Sequence, residues 1–367
     1  MPFRAVDPFQ GWDSLVEGRR GWVVNIQKFD EPATSLHPVG KEGRKHLPIW
    51  MRLLRMFGVL AGLASVLALF AEYHWLADAV AHGRVQYLAL LFLCLIWSLL
   101  ARKHVMTTVI VLLMASNAYW ILPYWMPPLI APDDRPNGDS RTYRLLVFNV
   151  LRTNEQHSKT FDEILRQDAD FVFLSEVHEE WIEHFGRAKE MYPHQKVLAV
   201  PDYTGVAFLS KQPWSQLEVI TLGAVRNPSL DITIEDSENT EGAIRLIGTH
   251  PLPPFGGRLT TSRDNQLLQL AERMKHQPRS LLFGDFNLSP WSPRFRKLLR
   301  QNNLTDASLG FGLAPTLTPL PTFLGGVKVD HVLKGEGIDV IDYRCIPAVG
   351  SDHQMIVFDF RCMSGEG

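Results

Sequence analysis

Apolar residues fall into two regimes along this chain. Between Leu53 and Ile130 they run almost unbroken; elsewhere they come in short bursts between polar stretches. The first regime contains three long uncharged segments, 56–71 (MFGVLAGLASVLALFA), 85–101 (VQYLALLFLCLIWSLLA) and 105–131. Crossing a membrane takes about 20 apolar residues in a helix. Leu53, Leu54 and a snorkelling Arg55 extend the short first segment toward that length. Pro123, Pro127 and Pro128 mark the end of the third. The pattern predicts three transmembrane helices within 51–130. A buried helical hairpin is the competing reading, and the aromatics argue against it. Tyr73, Trp75, Tyr87, Tyr119, Trp120, Tyr124 and Trp125 gather at span ends that share one side, as an interfacial belt does.

Charge in the short flanks predicts a direction. Lys41, Arg44, Lys45, Arg52 and Arg55 precede the first segment, and Arg102 and Lys103 separate the second from the third. The intervening loop has only Arg84, beside Glu72 and Asp78. The positive-inside rule then puts residues 1–50, a polar tail, in the cytoplasm and everything after Ile130 outside. Residues 131–140 (APDDRPNGDS) read as a linker. No cleaved signal peptide is expected, because the first apolar run begins some fifty residues in.

The second regime, 141–367, reads as one soluble domain. Strand candidates rich in Val, Ile, Leu and Phe lie at 143–151, 171–177, 204–210, 216–222, 229–235, 243–250, 280–286, 328–333, 338–345 and 354–360. Amphipathic helices are predicted at 158–167, with Ser158 as N-cap, at 262–277 and at 292–301. Strands mixed with helices over this length fit a two-sheet α/β sandwich.

Composition narrows the function class. The 367 residues are 46% hydrophobic and 21% charged with a net charge of −2, which excludes global disorder. Three cysteines exclude a disulfide scaffold. From Ser140 onward 24 Lys+Arg face 28 Asp+Glu, so the domain's overall field does not attract a polyanion.

Several strand candidates end in polar residues: VFNV (Asn149), LSEV (Glu176), GTHP (His250), GDFN (Asp285, Asn287), VDH (Asp330, His331) and GSDH (Ser351, Asp352, His353). Each is expected at a strand's C-terminal edge, where open α/β sheets place their sites. The residue types suit phosphate-ester hydrolysis. Asn149, Glu176 and Asp352 are hard oxygen ligands for Mg²⁺, with Mn²⁺ as the alternative. No cysteine joins them, which disfavours thiolate zinc. Asp285 is suited to deprotonate a water, Asn287 to donate to a phosphoryl oxygen, and His353, held by Asp330, to stabilise developing negative charge. Taken singly, GSDH is a surface turn, GDFN a capped turn and His250 a strand-end residue. His331 reads as structural, Trp291 and Phe295 as packing, and Arg263 and Asn265 as helix N-terminal surface residues.

In this order the fragments resemble the endonuclease/exonuclease/phosphatase superfamily, from about Arg144 to Phe360. The resemblance implies a DNase I-like four-layer α/β sandwich, preceded here by three transmembrane helices. It implies Asn149, Glu176 and Asp352 as metal ligands and His250 near the phosphate or leaving group. Asp285 and Asn287 would be the catalytic pair, and Asp330 the partner of His353. No core motif position is lost, which argues against a pseudoenzyme. Leu151 stands where some nuclease branches carry a carboxylate, which leaves a second metal position open. THPLPP, RDNQLLQLAE and GDFNLSPWSPRFRKLL resemble the membrane-anchored bacterial branch. That implies an inner-membrane phosphoesterase, a phosphatase, pyrophosphatase or phosphodiesterase, acting outside the cytoplasm on a lipid-linked or free phosphate ester. A tethered nuclease is the alternative, and a non-catalytic scaffold the third reading. Membrane lipid is an expected partner, nucleic acid a less favoured one, and no protein partner is inferred. Cys94 reads as packing; Cys345 and Cys362 are disulfide candidates in neighbouring strands.

Overall fold

Strand β1 (Thr142–Asn149) has Leu145, Leu146, Val147 and Phe148 buried in succession, so it is covered on both faces. The computed structural model describes residues 48–126, 141–201, 204–222, 227–235, 242–318 and 325–363. The predicted tail 1–50, all but its last residues, the linker 131–140, Pro127 and Pro128 lie outside them. After β1 come α5 (His157–Arg166), β2 (Phe171–Ser175), α6 (Ile182–Arg187), β3 (His194–Leu198), β4 (Val206–Ser210), β5 (Gln216–Leu222) and β6 (Asn227–Ile234). The rest are β7 (Ile244–Gly248), α7 (Gly257–Glu272), β8 (Ser280–Asp285), α8 (Pro293–Asn302), β9 (Thr305–Asp306), β10 (Asp330–Lys334), β11 (Ile338–Pro347) and β12 (Gln354–Cys362).

Two six-stranded sheets result, ordered β11-β12-β1-β2-β4-β3 (sheet A) and β5-β6-β7-β8-β10-β9 (sheet B). Each is centred on one parallel pair, β1/β2 or β7/β8, joined by a crossover helix, α5 or α7. Antiparallel strands flank both pairs. Phe173, Val147 and Phe358 of sheet A meet Phe283, Leu246 and Ile232 of sheet B in the central core. A second core lies between sheet A and α5 and α6, where Phe161, Ile164 and Phe185 face Leu146 and Val172. A third joins sheet B to α7 and α8, where Leu267, Leu270 and Phe295 face Ile247 and Leu282. The order helix, sheet, sheet, helix is the predicted four-layer sandwich.

All ten predicted strands are present, 216–222 with the predicted bounds and the other nine with shifted ends. β3 escaped the pattern because His194, Gln195 and Lys196 make it polar, and β9 because it is two residues long. α7 starts and ends five residues before its predicted bounds. Ser158 does not cap α5: the helix starts at His157 and no side chain caps it. Ser292 does cap α8, accepting the Arg294 N–H at 3.2 Å, with Pro293 at the first helical position. Cys345 sits opposite Ile356 and Cys362 opposite Ile338. Six strand residues, about 20 Å, therefore separate the two thiols, and they form no disulfide with each other.

Before the sandwich stand α1 (Ile49–Leu67), α2 (Trp75–Ala81), α3 (Arg84–Leu100) and α4 (His104–Trp125). Ile49–Phe70 and His104–Trp125 are long and apolar enough to cross a membrane. The second predicted span reaches that standard only as α2 plus α3, which meet at a 61° bend. Tertiary bonds explain the break. Asp78 of α2 is buried against the sandwich, accepting from Ser292 Oγ at 2.5 Å and facing Arg294 at 3.3 Å and Arg263 at 3.5 Å. Arg294 also donates to the Ala71 carbonyl, and Trp291 Nε1 to the His82 carbonyl at 3.3 Å. The predicted aromatic belt is in part this same junction. Tyr124 packs edge-on against Trp291 and donates to Asp306 at 3.1 Å, and Trp120 carries the Arg296 guanidinium on its ring. Tyr73, Tyr119 and Trp125 are exposed.

Candidate active site

Two backbone positions already mark the site. Glu176 and Asn287, neither a glycine, hold φ of 61° and 50°. Such residues concentrate at functional sites, where surrounding structure holds the strain. Between them lies Gly284, with φ 135°, where a Cβ would fall 1.9 Å from the Thr249 carbonyl oxygen. Only glycine lets β8 pass that close to the end of β7. Asp285 follows at the end of β8.

Six polar side chains converge at one end of the sandwich. Asn149, Glu176, His250 and Asp285 lie at or just beyond the C-terminal ends of β1, β2, β7 and β8. Asp330 and His353 correct the expectation from sequence: they sit at the N-terminal starts of β10 and β12. Those strands run antiparallel to their neighbours, so their beginnings lie where the parallel strands end. Asp330 pairs directly with Asp285 across the ladder.

Asp285 is 2% exposed and central. Its Oδ2 accepts from Asn149 Nδ2 at 3.1 Å and faces His250 Nε2 at 3.5 Å and His353 Nε2 at 3.8 Å. Its Oδ1 accepts the Asn287 N–H at 2.8 Å. Burial alone would raise this carboxyl's pKa; the two imidazoles and the Asn287 N–H prevail and hold it below the ordinary carboxylate range. His353 Nδ1 lies 2.8 Å from Asp330 Oδ2. Burial lowers the His353 pKa, but Asp330, Asp285 and Asp352 carry it up to about 10, so the ring is an imidazolium at neutral pH. For His250, burial again lowers the pKa, and Asp285 and Glu176 outweigh it, giving a net rise. Ser351 Oγ donates to the Asn149 carbonyl at 2.8 Å and accepts the His353 N–H at 3.0 Å, tying β1 to the start of β12.

The remaining predicted residues join less directly. Glu176 Oε1 accepts from Asn149 Nδ2 at 2.9 Å, and its Oε2 accepts the Arg152 N–H. Asn149 thus turns its amide nitrogen toward the carboxylates, while its Oδ1 accepts the Leu151 N–H. Ligation by Asn149 would require that amide to turn over. Asn287 sends its side-chain nitrogen to the Pro251 carbonyl at 3.0 Å. The Asp352 carbonyl accepts from Thr318, and its buried Oδ1 has no hydrogen-bond partner. Asp330 Oδ1 is likewise buried without one.

The donor set fits a divalent cation. Four carboxylates, of Glu176, Asp285, Asp330 and Asp352, face two imidazoles, and oxygens of two of them lack donors. Ligand atoms of Asp285, Asp330 and His353 lie within 4.8 Å of one another. Oxygen-rich sets of this kind suit a hard metal ion.

The match to known families decides the identity. A model of the endonuclease/exonuclease/phosphatase family fits residues 146–353. The chain belongs to that family. Members of the family are hydrolases of phosphoester bonds, generally with a divalent metal, and the acidic cluster agrees with that chemistry. An endonuclease/exonuclease/phosphatase from Beutenbergia cavernae DSM 12333 has a similar structure, at 19% identity over 61% of this chain and 72% of its own, with a TM-score of 0.50. The human Nocturnin catalytic domain, determined with a bound sulfate anion, is similar over 60% of this chain and 94% of its own, at 18% identity and a TM-score of 0.51. These likenesses show the shared family fold. Comparison with curated proteins finds no match.

Two supports of the site were misread or missed in the sequence. Arg263 is not a surface residue: it is 1% exposed and donates to Asp264 at 2.8 Å and to the Asn287 carbonyl at 2.7 Å. The signal was its spacing, since it shares a helix face with buried Thr260, Leu267 and Leu270. Asn265 is exposed, as expected. Thr316 was not singled out; its Oγ1 accepts the N–H groups of both Val329 and Asp330 and so fixes the start of β10.

Proposed function

We propose that this protein is a membrane-anchored, Mg²⁺-dependent phosphoesterase acting on a lipid-linked or extracytoplasmic phosphate ester. One observation carries the chemistry: the buried Asp285 carboxylate faces the imidazoles of His250 and His353, and His353 is locked by Asp330. Glu176 and Asp352, with Asn149 after its amide turns, would hold the ion. Bound there, it would neutralise phosphoryl oxygens and the leaving oxygen. Asp285 takes a proton from the attacking water, and the Asn287 N–H keeps that carboxylate in place. His353 donates to the phosphoryl oxygens as an imidazolium oriented by Asp330. His250, which approaches the same Asp285 oxygen as His353, serves the leaving group.

The anchoring has separate support. Ala71, Asp78, His82 and Tyr124 all touch the sandwich, so the C-terminal ends of α1 and α4 share its side. Arg102 and Lys103 occupy the opposite end of the bundle, between α3 and α4. That agrees with a cytoplasmic N-terminus, an extracytoplasmic sandwich and a domain division near 130–140. An inner-membrane location in a bacterium is what the resemblance of THPLPP, RDNQLLQLAE and GDFNLSPWSPRFRKLL to the membrane-anchored branch implies. A largely apolar cavity of about 330 Å³ lies between Val85 and Ala89 of α3 and residues 313–315 and 325–326. Lys328, two residues before Asp330, lines it, and a cavity of this character suits an acyl or prenyl chain.

The test is turnover by the full chain in lipid nanodiscs, read as phosphate release from polyprenyl pyrophosphate and soluble monoesters, headgroup release from phospholipids and nicking of plasmid DNA. Mg²⁺-dependent turnover of a lipid phosphate that Asp285→Ala abolishes is expected. Turnover confined to DNA would replace this reading with that of a tethered nuclease. Metal-dependent activity on none of them would refute it.

A further inference from the structure

Away from Asp285, three side chains on the α5–α6 layer converge without an assigned task. His157 opens α5, His178 lies in the segment after β2, and Glu180 in the single 3-10 turn Glu179–Trp181 that follows. One ligand atom from each lies within 4.8 Å of the other two. His157 Nε2 stands 3.7 Å from Glu180 Oε2. The imidazole rings of His157 and His178 are 5.3 Å apart. Nε2 of both rings is buried and has no hydrogen-bond partner. Two orphaned imidazole nitrogens in one cluster are costly unless something binds them.

We propose that His157, His178 and Glu180 form a second metal site, for Zn²⁺, separate from the acidic site. Neighbouring ligand atoms in a tetrahedral Zn²⁺ shell with nitrogen and oxygen donors lie about 3.4 Å apart. The 3.7 Å contact is already close to that spacing. Glu180 is 74% exposed on its side chain and is free to close the rest. Imidazole donors favour Zn²⁺ over the hard ions that suit the carboxylate cluster. Three protein ligands leave one position for water. Trp181 packs edge-on against His157 at 4.8 Å and holds that ring's plane. The site shares no residue with the Asp285, Asp330 and His353 group. It does share elements: His157 ends the loop that leaves β1 after Asn149, and His178 lies two residues beyond Glu176. Zn²⁺ would therefore clasp the two sheet A loops that carry those residues.

The experiment is Zn²⁺ titration of the full chain in detergent by calorimetry, in excess Mg²⁺, with Co²⁺ as a spectroscopic probe. Wild type is expected to take up one Zn²⁺ per chain and to give a tetrahedral-type visible Co²⁺ spectrum. His157→Ala and His178→Ala should each lose both signals. Glu180→Gln, at an exposed position that leaves folding intact, should weaken Zn²⁺ uptake and shift the Co²⁺ spectrum. Asp285→Asn should keep both, whatever becomes of turnover. Uptake that survives the histidine and Glu180 variants, uptake lost in Asp285→Asn, or no uptake by wild type would each overturn the proposal.

Discussion

The two sheets supply matching halves of the site, and the halves are held differently. In sheet A the parallel pair and its antiparallel neighbour place Asn149, Glu176 and His353. In sheet B the parallel pair places His250 and Asp285, and β10, which flanks the second strand of its pair where β12 flanks the first, places Asp330. Site contacts cross between halves, as from Asn149 to Asp285, His353 to Asp330, and His250 toward Glu176 at 3.9 Å, while Asn149 to Glu176 at 2.9 Å and His250 to Asp285 at 3.5 Å stay within one. Support is where they diverge. The contacts described between helices α1–α4 and the sandwich fall on the sheet B half: Asp78 with Arg263, Arg294 and Ser292, Tyr124 with Asp306, and Gln86 with the Gly326 carbonyl. Arg263 links that junction directly to the Asn287 carbonyl. The half that carries the proposed base is thus fixed to the apolar helices. The half that carries Glu176 is positioned through the shared core and the cross-half bonds.

The most severe way to break this pairing is at its centre. Asp285→Ala should lower metal-dependent turnover by roughly a thousandfold or more, as loss of a residue that acts as part of a unit does. His353→Ala and His250→Ala, one from each half, should each cost roughly 10²- to 10⁴-fold. Steady-state phosphate release by the full chain is the measurement. A histidine variant with wild-type turnover would show that its imidazole takes no part in the reaction.

Backbone clearance offers a subtler comparison. At Gly284, in the sheet B half, a Cβ would meet the Thr249 carbonyl at 1.9 Å, and φ is 135°. At Gly350, beside the sheet A half, it would meet Asn154 Oδ1 at 2.0 Å, and φ is 81°. The Asn154 amide has a rotatable bond, at the cost of its hydrogen bonds to Val150, Thr160 and Gln156, whereas the backbone carbonyl just past β7, tied to β8 by the Thr249 N–H, has none. Strained backbone costs on the order of 1–3 kcal/mol per residue. Gly284→Ala should sit at or above the top of that range and Gly350→Ala near the bottom, read as a difference in Tm. Equal losses would mean that the two halves tolerate crowding alike.

Coupling between halves can be measured without abolishing either. Asp330→Asn and His353→Gln remove opposite ends of one 2.8 Å bond. In a double-mutant cycle on turnover their effects should fall short of additive by roughly 0.5–3 kcal/mol. Strict additivity would mean that Asp330 does not act through His353.

Which parts of this arrangement were legible in the sequence follows from how locally each is encoded. Asp285 and Glu176 ended apolar runs, so their place at a strand end was readable. Asp330 and His353 were recognised as polar residues beside strands, but strand direction is a property of the sheet, and their positions at strand starts emerged only there. Arg263 was assigned to the surface because its charge outweighed its spacing, and the partner that permits its burial, Asp78, lies 185 residues earlier. The α2–α3 break is of the same kind. Its apolar content predicted a span, while the bonds that bend it come from Ser292, Arg294 and Trp291. His157 and His178 carried no motif, since 21 residues and a strand separate them.

The smallest expected effect tests the anchoring of the sheet B half by pH. Asp306 on β9 is buried, accepts from Tyr124 of α4 and from Ser308, and faces His331 at 3.7 Å. Burial would raise its pKa, but His331, Lys328 and the Ser308 N–H drive it well below the ordinary carboxylate value. A carboxyl with a depressed folded pKa contributes stability above its unfolded pKa of about 3.9 and loses it as pH falls further. The fully developed slope for one proton is about 1.4 kcal/mol per pH unit. Asp306→Asn should therefore lower Tm at neutral pH and flatten its decline below about pH 4, relative to wild type. Sheet A offers a control, because β3 at the matching edge carries no carboxylate and Gln195→Ala there should leave the pH slope unchanged. Parallel Tm–pH curves for wild type and Asp306→Asn would mean that Tyr124 and His331 hold Asp306 no more tightly than solvent does. The helices would then be held to sheet B by packing and by the Asp78, His82 and Gln86 contacts, without help from Asp306.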